Sequence, residues 1–319
     1  MKKYNKFFST YWDIEHSARI IKFFGCSIRL PKKHSFSSIY MQIDDINTKL
    51  NTLRFILDNY IDIKDCKPTT GRLRDIQIEC SNMLKIIKNI CDENGLEYWL
   101  DAGTLLGAIR HKGFIPWDDD IDLCMCRKDY NKIANLIPKY FNKSCYYIRS
   151  QCETANNFQI RIVNIHNCAA LDIFPMDSYF KNNLSEKEKQ QVTNNIKYAR
   201  EKFDLKYPKH EICNDVMLMK NWLEKNKNKY ILQNKQPITQ GALYYAIDFP
   251  YQVKNNLIYN YEDIFPLKKV LFEDEYYNIP NKTEIYLKNI YNNYNKFPEY
   301  INIANPHYYE EQRTFLQVH

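Results

Sequence analysis

The chain crowds carboxylates into one short run: four of the five positions from 118 to 122 are Asp, in a protein whose formal net charge is +7. From there Asp120-Ile-Asp-Leu-Cys-Met-Cys126 alternates strictly. In a strand this puts Ile121, Leu123 and Met125 on one face and Asp120, Asp122, Cys124 and Cys126 on the other. Two carboxylates one strand-step apart, about 6–7 Å between Cα atoms, can grip one divalent cation. Upstream, Thr104 of the Gly103-Thr104 pair can cap a short helix through Leu105, Leu106, Ala108 and Ile109, whose free N–H groups would welcome an anion. Downstream, Asp172 is a lone acid in the apolar run Cys168 to Phe174. A buried carboxylate without compensation is costly, so it points to a metal, a cation or a reacting group beside it. A Gly-Thr turn, an Asp-x-Asp strand and a later carboxylate form the apparatus of metal-dependent phosphoryl or nucleotidyl transfer, where a carboxylate-held cation neutralises phosphate oxygens.

Simpler readings of the same residues compete. Asp118-x-Asp120-x-Asp122 resembles the start of an EF-hand loop, but Leu123 stands where that loop needs Gly and Asp129 where it needs Glu. A solvated acidic turn suits an isolated Asp run; here an apolar strand carries Asp122 straight into a core. Asp118 and Asp119 can be supporting or capping residues. Trp99 and Trp117 suit a core better than base stacking.

The elements that must position these residues follow from periodicity. Leu73, Ile76, Cys80, Met83, Ile87 and Ile90 predict an amphipathic helix from Arg72 to about Glu93, stopped by Gly95. Leu96, Tyr98 and Leu100 alternate and predict a strand from Leu96 to Ala102. A helix from Asp129 to about Ile137 comes next, then strands over Phe158 to Asn164 and Cys168 to Phe174, the latter stopped by Pro175. Ser185-x-x-Glu188 is a capping-box signature opening a helix along Val192, Ile196, Ala199 and Phe203. Further helices are expected over Val216 to Leu232 and Asn281 to Tyr294, with a strand pair over Val270 to Ile279. Before all of these, Ser38 to Leu57 has helical spacing, and Arg19 to His34 mixes apolar residues with Lys22, Arg29, Lys32 and Lys33, which suits an anionic membrane surface, an ordinary edge strand or a docking helix.

Composition narrows the classes. With 319 residues and 45% apolar content the chain can fill a sizeable core. Its mild basic balance permits an anionic substrate or an acidic membrane surface, and it lacks the dense basic stripe of a nucleic-acid binder. The cysteines form no Cys-x-x-Cys pair, which suits free thiols in a reducing cytoplasm. No apolar signal region and no run long enough to span a membrane is present.

The run LDAGTLLGAIRHKGFIPWDDDIDLCMCRKDY closely resembles the signature of the LicD family of phosphocholine transferases, itself similar to the fukutin and fukutin-related proteins. RDIQIECSNMLKIIKNICDENGLEYWL resembles the helix and strand preceding that signature, IRIVN and LDIFPMD its following strands, and the run from Val270 to Pro298 the family's C-terminal part, so the likeness covers about Gly71 to Pro298. It implies an α/β (α+β) nucleotidyltransferase-like mixed sheet flanked by helices. The implied division is an N-terminal extension over 1–70 docking on a membrane or partner, a catalytic core over 71–180, and a mainly helical C-terminal part over 181–319 completing the acceptor side.

The implied activity is transfer of phosphocholine, or of a similar phospho-alcohol, from a CDP-activated donor with CDP-choline favoured, to a hydroxyl of a glycan or lipid-linked glycan, releasing CMP. Mg²⁺ or Mn²⁺ would sit on Asp120 and Asp122, with Asp172 as third ligand or general base. Gly103 and Thr104 would meet the donor phosphates, Arg110 and His111 phosphate or acceptor, and Arg161 either phosphate or Asp172. The expected setting is the cytoplasm, peripheral at the inner membrane face, without nucleic acid. A nucleotidyltransferase leaving NMP on its acceptor and a non-catalytic glycan- or membrane-associated scaffold are the rival functions. The family's C-terminal Tyr-Gly is Tyr291-Asn292 here, which leaves that turn open.

Overall fold

The computed structural model describes residues 8–13, 18–23, 26–30, 36–150, 159–206, 225, 240–245 and 257–298. Contacts divide the chain into two units, Met1–Asp62 and Ile63–His319. The first unit holds an antiparallel sheet of β1 (Phe8–Asp13), β2 (Ala18–Phe23) and β3 (Cys26–Leu30), followed by helix α1 (Phe36–Tyr60). The described residues of the run Arg19 to His34 form β2 and β3.

In the second unit a single 3-10 turn (Ile63–Asp65) precedes α2 (Arg72–Asn94), which ends as expected at Gly95 in the left-handed conformation. Its apolar stripe, Ile76, Cys80, Met83, Leu84, Ile87, Ile90 and Cys91, is wholly buried, and the helix packs on β5 (Asp120–Cys126) and β8 (Ala170–Phe180). Each such large side chain contributes about 1.5–3 kcal/mol on burial, which fixes which face of α2 meets the sheet. The fold is a mixed α/β arrangement. In its main sheet β10 (Ile258–Tyr259), β9 (Ala242–Tyr245), β8, β5 and β4 (Trp99–Leu100) lie side by side in that order. Beside them, β7 (Ile160–Asn164) pairs with both β8 and β6 (Tyr146–Ser150). Among the described residues only β5 and β8 run parallel, and their register sets Asp122 directly beside Asp172. The crossover that parallel pairing requires is α4 (Arg127–Leu136) followed by β6 and β7.

Several boundaries differ from the periodicity. The strand expected over Leu96 to Ala102 shrinks to β4, because the Asp101 carbonyl accepts the Leu105 N–H and opens α3 (Ala102–His111). Thr104 therefore lies within the first turn of α3 and is not its cap. Nor does Pro175 stop its strand: β8 runs on to Phe180, and the proline falls between Ile173, the last residue paired to β7, and Met176, the first paired to β9, an interval that tolerates a missing N–H. The capping box at Ser185 is formed, with Glu188 accepting the Ser185 N–H at 2.8 Å, and starts α5 (Glu186–Lys206). The strand pair appears as β11 (Lys268–Phe272) and β12 (Glu275–Ile279), and the last helix as α6 (Thr283–Tyr291). Asn292 follows α6 with φ +61°, and its N–H donates to the Lys288 carbonyl at 2.9 Å. Phe158 and the helix expected over 216–232, Lys225 apart, lie outside the described residues. Among the described residues no helix is long and apolar enough to cross a membrane.

Residues of α2, α3 and the β11–β12 turn hold the loop that leads into the acidic run. The β11–β12 turn reaches α2 through a bidentate Arg74–Glu273 pair and grips the loop with the Glu273 N–H on the Lys112 carbonyl at 2.7 Å. Gly107 of α3 lies against this loop so closely that a Cβ would collide with the Gly113 carbonyl oxygen and press on Ile115 N. Gly107→Ala should therefore destabilise the protein by about 1–3 kcal/mol, read as a lower urea midpoint at unchanged slope. An unchanged midpoint would contradict the close approach.

Candidate functional site

Asp120 and Asp122 project from β5 and Asp172 from β8, and one carboxylate oxygen of each lies within 4.8 Å of the others. The geometry thus brings together the three acids named from the sequence. Asp172 is buried; its Oδ2 accepts Arg161 Nη1 at 2.8 Å, while its Oδ1 has no hydrogen-bond partner although sealed from solvent. A buried carboxylate oxygen left this way costs about 1–3 kcal/mol or more. Burial, then the charges of Asp120, Asp172, Asp101 and Asp118, hold the pKa of Asp122 well above the ordinary carboxylate range. Three hard oxygen donors with an unsatisfied lone pair fit a divalent cation of the Mg²⁺ or Mn²⁺ kind.

The first turn of α3 fixes this cluster through the backbone. Thr104 Oγ1 accepts the Asp122 N–H at 2.8 Å, and the Asp101 N–H donates to the Asp122 carbonyl at 2.9 Å. Both peptide groups flanking the Asp122 Cα are thereby tied to one helical turn. Gly103 serves by lacking a side chain, since a Cβ there would strike the Asp118 carboxylate. Asp118 and Asp119 extend the acidic region: with Asp120 they form a second group of oxygens within 4.8 Å. Gln77 holds the Asp118 carbonyl at 2.9 Å. Trp99 is core, donating to the Tyr286 hydroxyl at 3.3 Å, and Trp117 packs on Phe297.

Of the two readings for Arg161, the ion pair with Asp172 is present. Arg110 and His111 stand elsewhere, at the far end of α3, lining a separate cavity that includes none of Asp120, Asp122 and Asp172. Burial, then the neighbouring Arg110, lowers the His111 pKa to about 4.

Asp101 is a site-supporting residue that the sequence reading missed. It is buried, and its carboxylate accepts the Tyr245 hydroxyl at 2.6 Å, the Tyr286 hydroxyl at 2.8 Å and the Cys124 thiol at 3.0 Å. Burial and then Asp101 itself raise the pKa of both tyrosines, which keeps them protonated as donors. No local spacing signals this cluster, because its tyrosines lie 144 and 185 residues further along the chain.

The raised pKa of Asp122 has a measurable consequence. In the folded protein this carboxyl holds a proton at a pH where the unfolded chain has lost it, so its contribution to stability declines as pH rises from the ordinary carboxylate range towards the raised value. With EDTA present, the stability of the parent relative to Asp122→Asn should fall with increasing pH across that window, by at most about 1.4 kcal/mol per pH unit for one proton. Urea midpoints over a pH series measure it. A difference independent of pH would contradict the crowding of acids around Asp122.

Comparison with known proteins places this geometry. Residues 95–224 match the family described as LicD/FKTN/FKRP, nucleotidyltransferase domain. The chain is 48% identical over 64 residues to the lipopolysaccharide cholinephosphotransferase LicD of Haemophilus influenzae, covering 20% of this chain and 24% of that protein. It is 30% identical over 128 residues to an uncharacterized protein of Rickettsia prowazekii, 40% of either chain. It is 38% identical over 52 residues to the human ribitol 5-phosphate transferase FKRP, 16% of this chain and 10% of that one. The matches thus span less than half the length of these relatives. Asp101, the first turn of α3, Asp120, Asp122, Arg161 and Asp172 all fall inside the stretch 95–224, which is similar throughout to the LicD/FKTN/FKRP nucleotidyltransferase domain family.

Proposed function

We propose that this chain is a metal-dependent transferase that moves phosphocholine, or a similar phospho-alcohol, from a CDP-activated donor to a hydroxyl of a cell-surface or lipid-linked glycan, releasing CMP. The observation that carries the reading is the convergence of Asp120, Asp122 and the half-satisfied Asp172 on two adjacent parallel strands. The names of two relatives, a cholinephosphotransferase and a ribitol 5-phosphate transferase, support a phospho-alcohol as the transferred group.

In this reading Asp120, Asp122 and Asp172 hold Mg²⁺ or Mn²⁺, which when bound would neutralise charge on the phosphate oxygens. The chain's own groups do the positioning. Arg161 holds Asp172 through Oδ2 and leaves Oδ1 without a hydrogen bond, which favours the ligand role over that of general base. Thr104 and the Asp101 N–H hold the Asp122 backbone, and the N-terminal end of α3 at Gly103 and Thr104 offers its positive pole to donor phosphate. Free thiols such as Cys80, Cys91 and Cys124 suit a cytoplasmic setting, and the basic-apolar run 19–34 suits peripheral contact with the inner membrane face.

Incubation with a panel of CDP-alcohols should release CMP only when Mg²⁺ or Mn²⁺ and a glycan acceptor are both present. Asp120→Asn and Asp122→Asn should each lower that rate about 100-fold or more, the worth of several kcal/mol of charge stabilisation. Parent-like rates in both variants would overturn the metal assignment. A nucleotide found covalently on the acceptor would instead favour NMP transfer, and no turnover with any donor would favour a scaffold.

A further inference from the structure

Helix α1 is 25 residues long and carries an apolar seam on its outside. From Ile43 the seam recurs at Ile46, Leu50, Leu53, Leu57 and Tyr60, in alternating steps of three and four, and in the sequence Phe36 and Ile39 extend the same steps towards the start of the helix. Ile43, Ile46, Leu50 and Leu53 are 48–57% exposed, and Tyr60 is 75% exposed. The helix has little else to hold it. It contains no Ala and is rich in Ile, Thr, Asn, Asp and aromatic residues, all weaker helix formers, so its stability must come from packing along this face.

The spacing indicates what packs there. A helix that docks on a globular body shows a broader stripe at a period of 3.6 residues. Here the period is 3.5, against which an ideal straight helix drifts about 20° per heptad, roughly 70° over the length of α1. A flat surface would lose such a seam, whereas a second helix wound around the first keeps it. A helix lying in a membrane interface needs a polar face rich in Lys and Arg. In α1 three Asp stand against Lys49 and Arg54, and the exposed Met41 and Phe55 lie opposite the seam.

We propose that α1 pairs with α1 of a second copy of this chain as a two-stranded coiled coil. The charges permit it: Lys49 and Arg54 flank the seam, and each is held by an acid of its own helix, Asp45 at 2.6 Å and Asp58 at 3.0 Å. Two identical helices therefore meet with these flanking charges already paired. Among the described residues the other long helices turn apolar residues inward, Met83 and Ile87 of α2 and Val192 and Ile196 of α5 being buried. An exposed seam of the same length and step is offered by another copy of α1. A seam about 37 Å long on a helix about 10–12 Å across outlines roughly 400 Å² per partner. Interdigitated side chains bury more accessible surface than that outline, which carries the pair to about 1,000 Å², the size a specific association needs.

Sedimentation velocity of the full chain over a dilution series tests the pairing. The parent should sediment as a dimer that dissociates on dilution. Leu50→Glu and Leu53→Glu, which set a charge in the seam, should each raise the dissociation constant at least about thirtyfold, the scale of a central interface residue. Phe55→Glu changes a residue that is equally exposed but off the seam, and should leave that constant within about threefold. Leu50→Asn, a milder polar change, should weaken the dimer in the same direction and keeps the test decisive if a Glu variant fails to fold. A parent that stays monomeric throughout the micromolar range would overturn the pairing. So would a dimer indifferent to both seam variants, or one that Phe55→Glu dissociates as readily. A monomeric parent that co-sediments with anionic vesicles, and loses them in Leu50→Glu, would assign the seam to a membrane instead.

Discussion

Three carboxylates held where they repel one another are the constraint on which this structure turns. The parallel register of β5 and β8 makes Asp122 and Asp172 immediate neighbours, and Asp120 lies one strand-step away. Side chains free to move would separate. Here they cannot, because the Asp122 backbone is bound on both sides to the first turn of α3 and Asp172 is pinned by Arg161. The raised pKa of Asp122 is the electrostatic record of that confinement. Arg161 sets one positive charge beside Asp172, and the crowding that remains is relieved by a proton held on Asp122 or by a bound cation.

The surrounding architecture serves the confinement at a distance. Asp101 links the α3 turn to β9 and α6 through the hydroxyls of Tyr245 and Tyr286, so segments far apart in the chain converge behind the cluster. The β11–β12 turn does the same for the loop leading into the acidic run, through Glu273 and Arg74. Helix α3 starts beside the acid cluster and carries Arg110 and His111 at its far end.

Much of the site was legible in the sequence because it is local. Strict alternation placed β5 from Asp120 to Cys126 without error, and a solitary acid in an apolar run marked Asp172. The apolar stripe of α2 and its glycine stop were equally readable. Elements set by tertiary contacts were not. β4 is short because Asp101 already opens a helix, and β8 passes through Pro175 because its neighbouring strands change there. The Asp101–Tyr245–Tyr286 cluster has no sequence period at all. Arg110 and His111 look contiguous with Gly103 and Thr104 in the signature, but helical rise carries them into a different cavity.

The proposed function requires Asp120, Asp122 and Asp172 to hold one divalent cation together. Titration of Mn²⁺ into the protein, followed by loss of the free-ion electron paramagnetic resonance signal, tests it most directly. The parent should remove Mn²⁺ from solution, and Asp120→Asn, Asp122→Asn and Asp172→Asn should each weaken that binding by at least about tenfold. Mn²⁺ binding as tight in all three variants as in the parent would contradict the account.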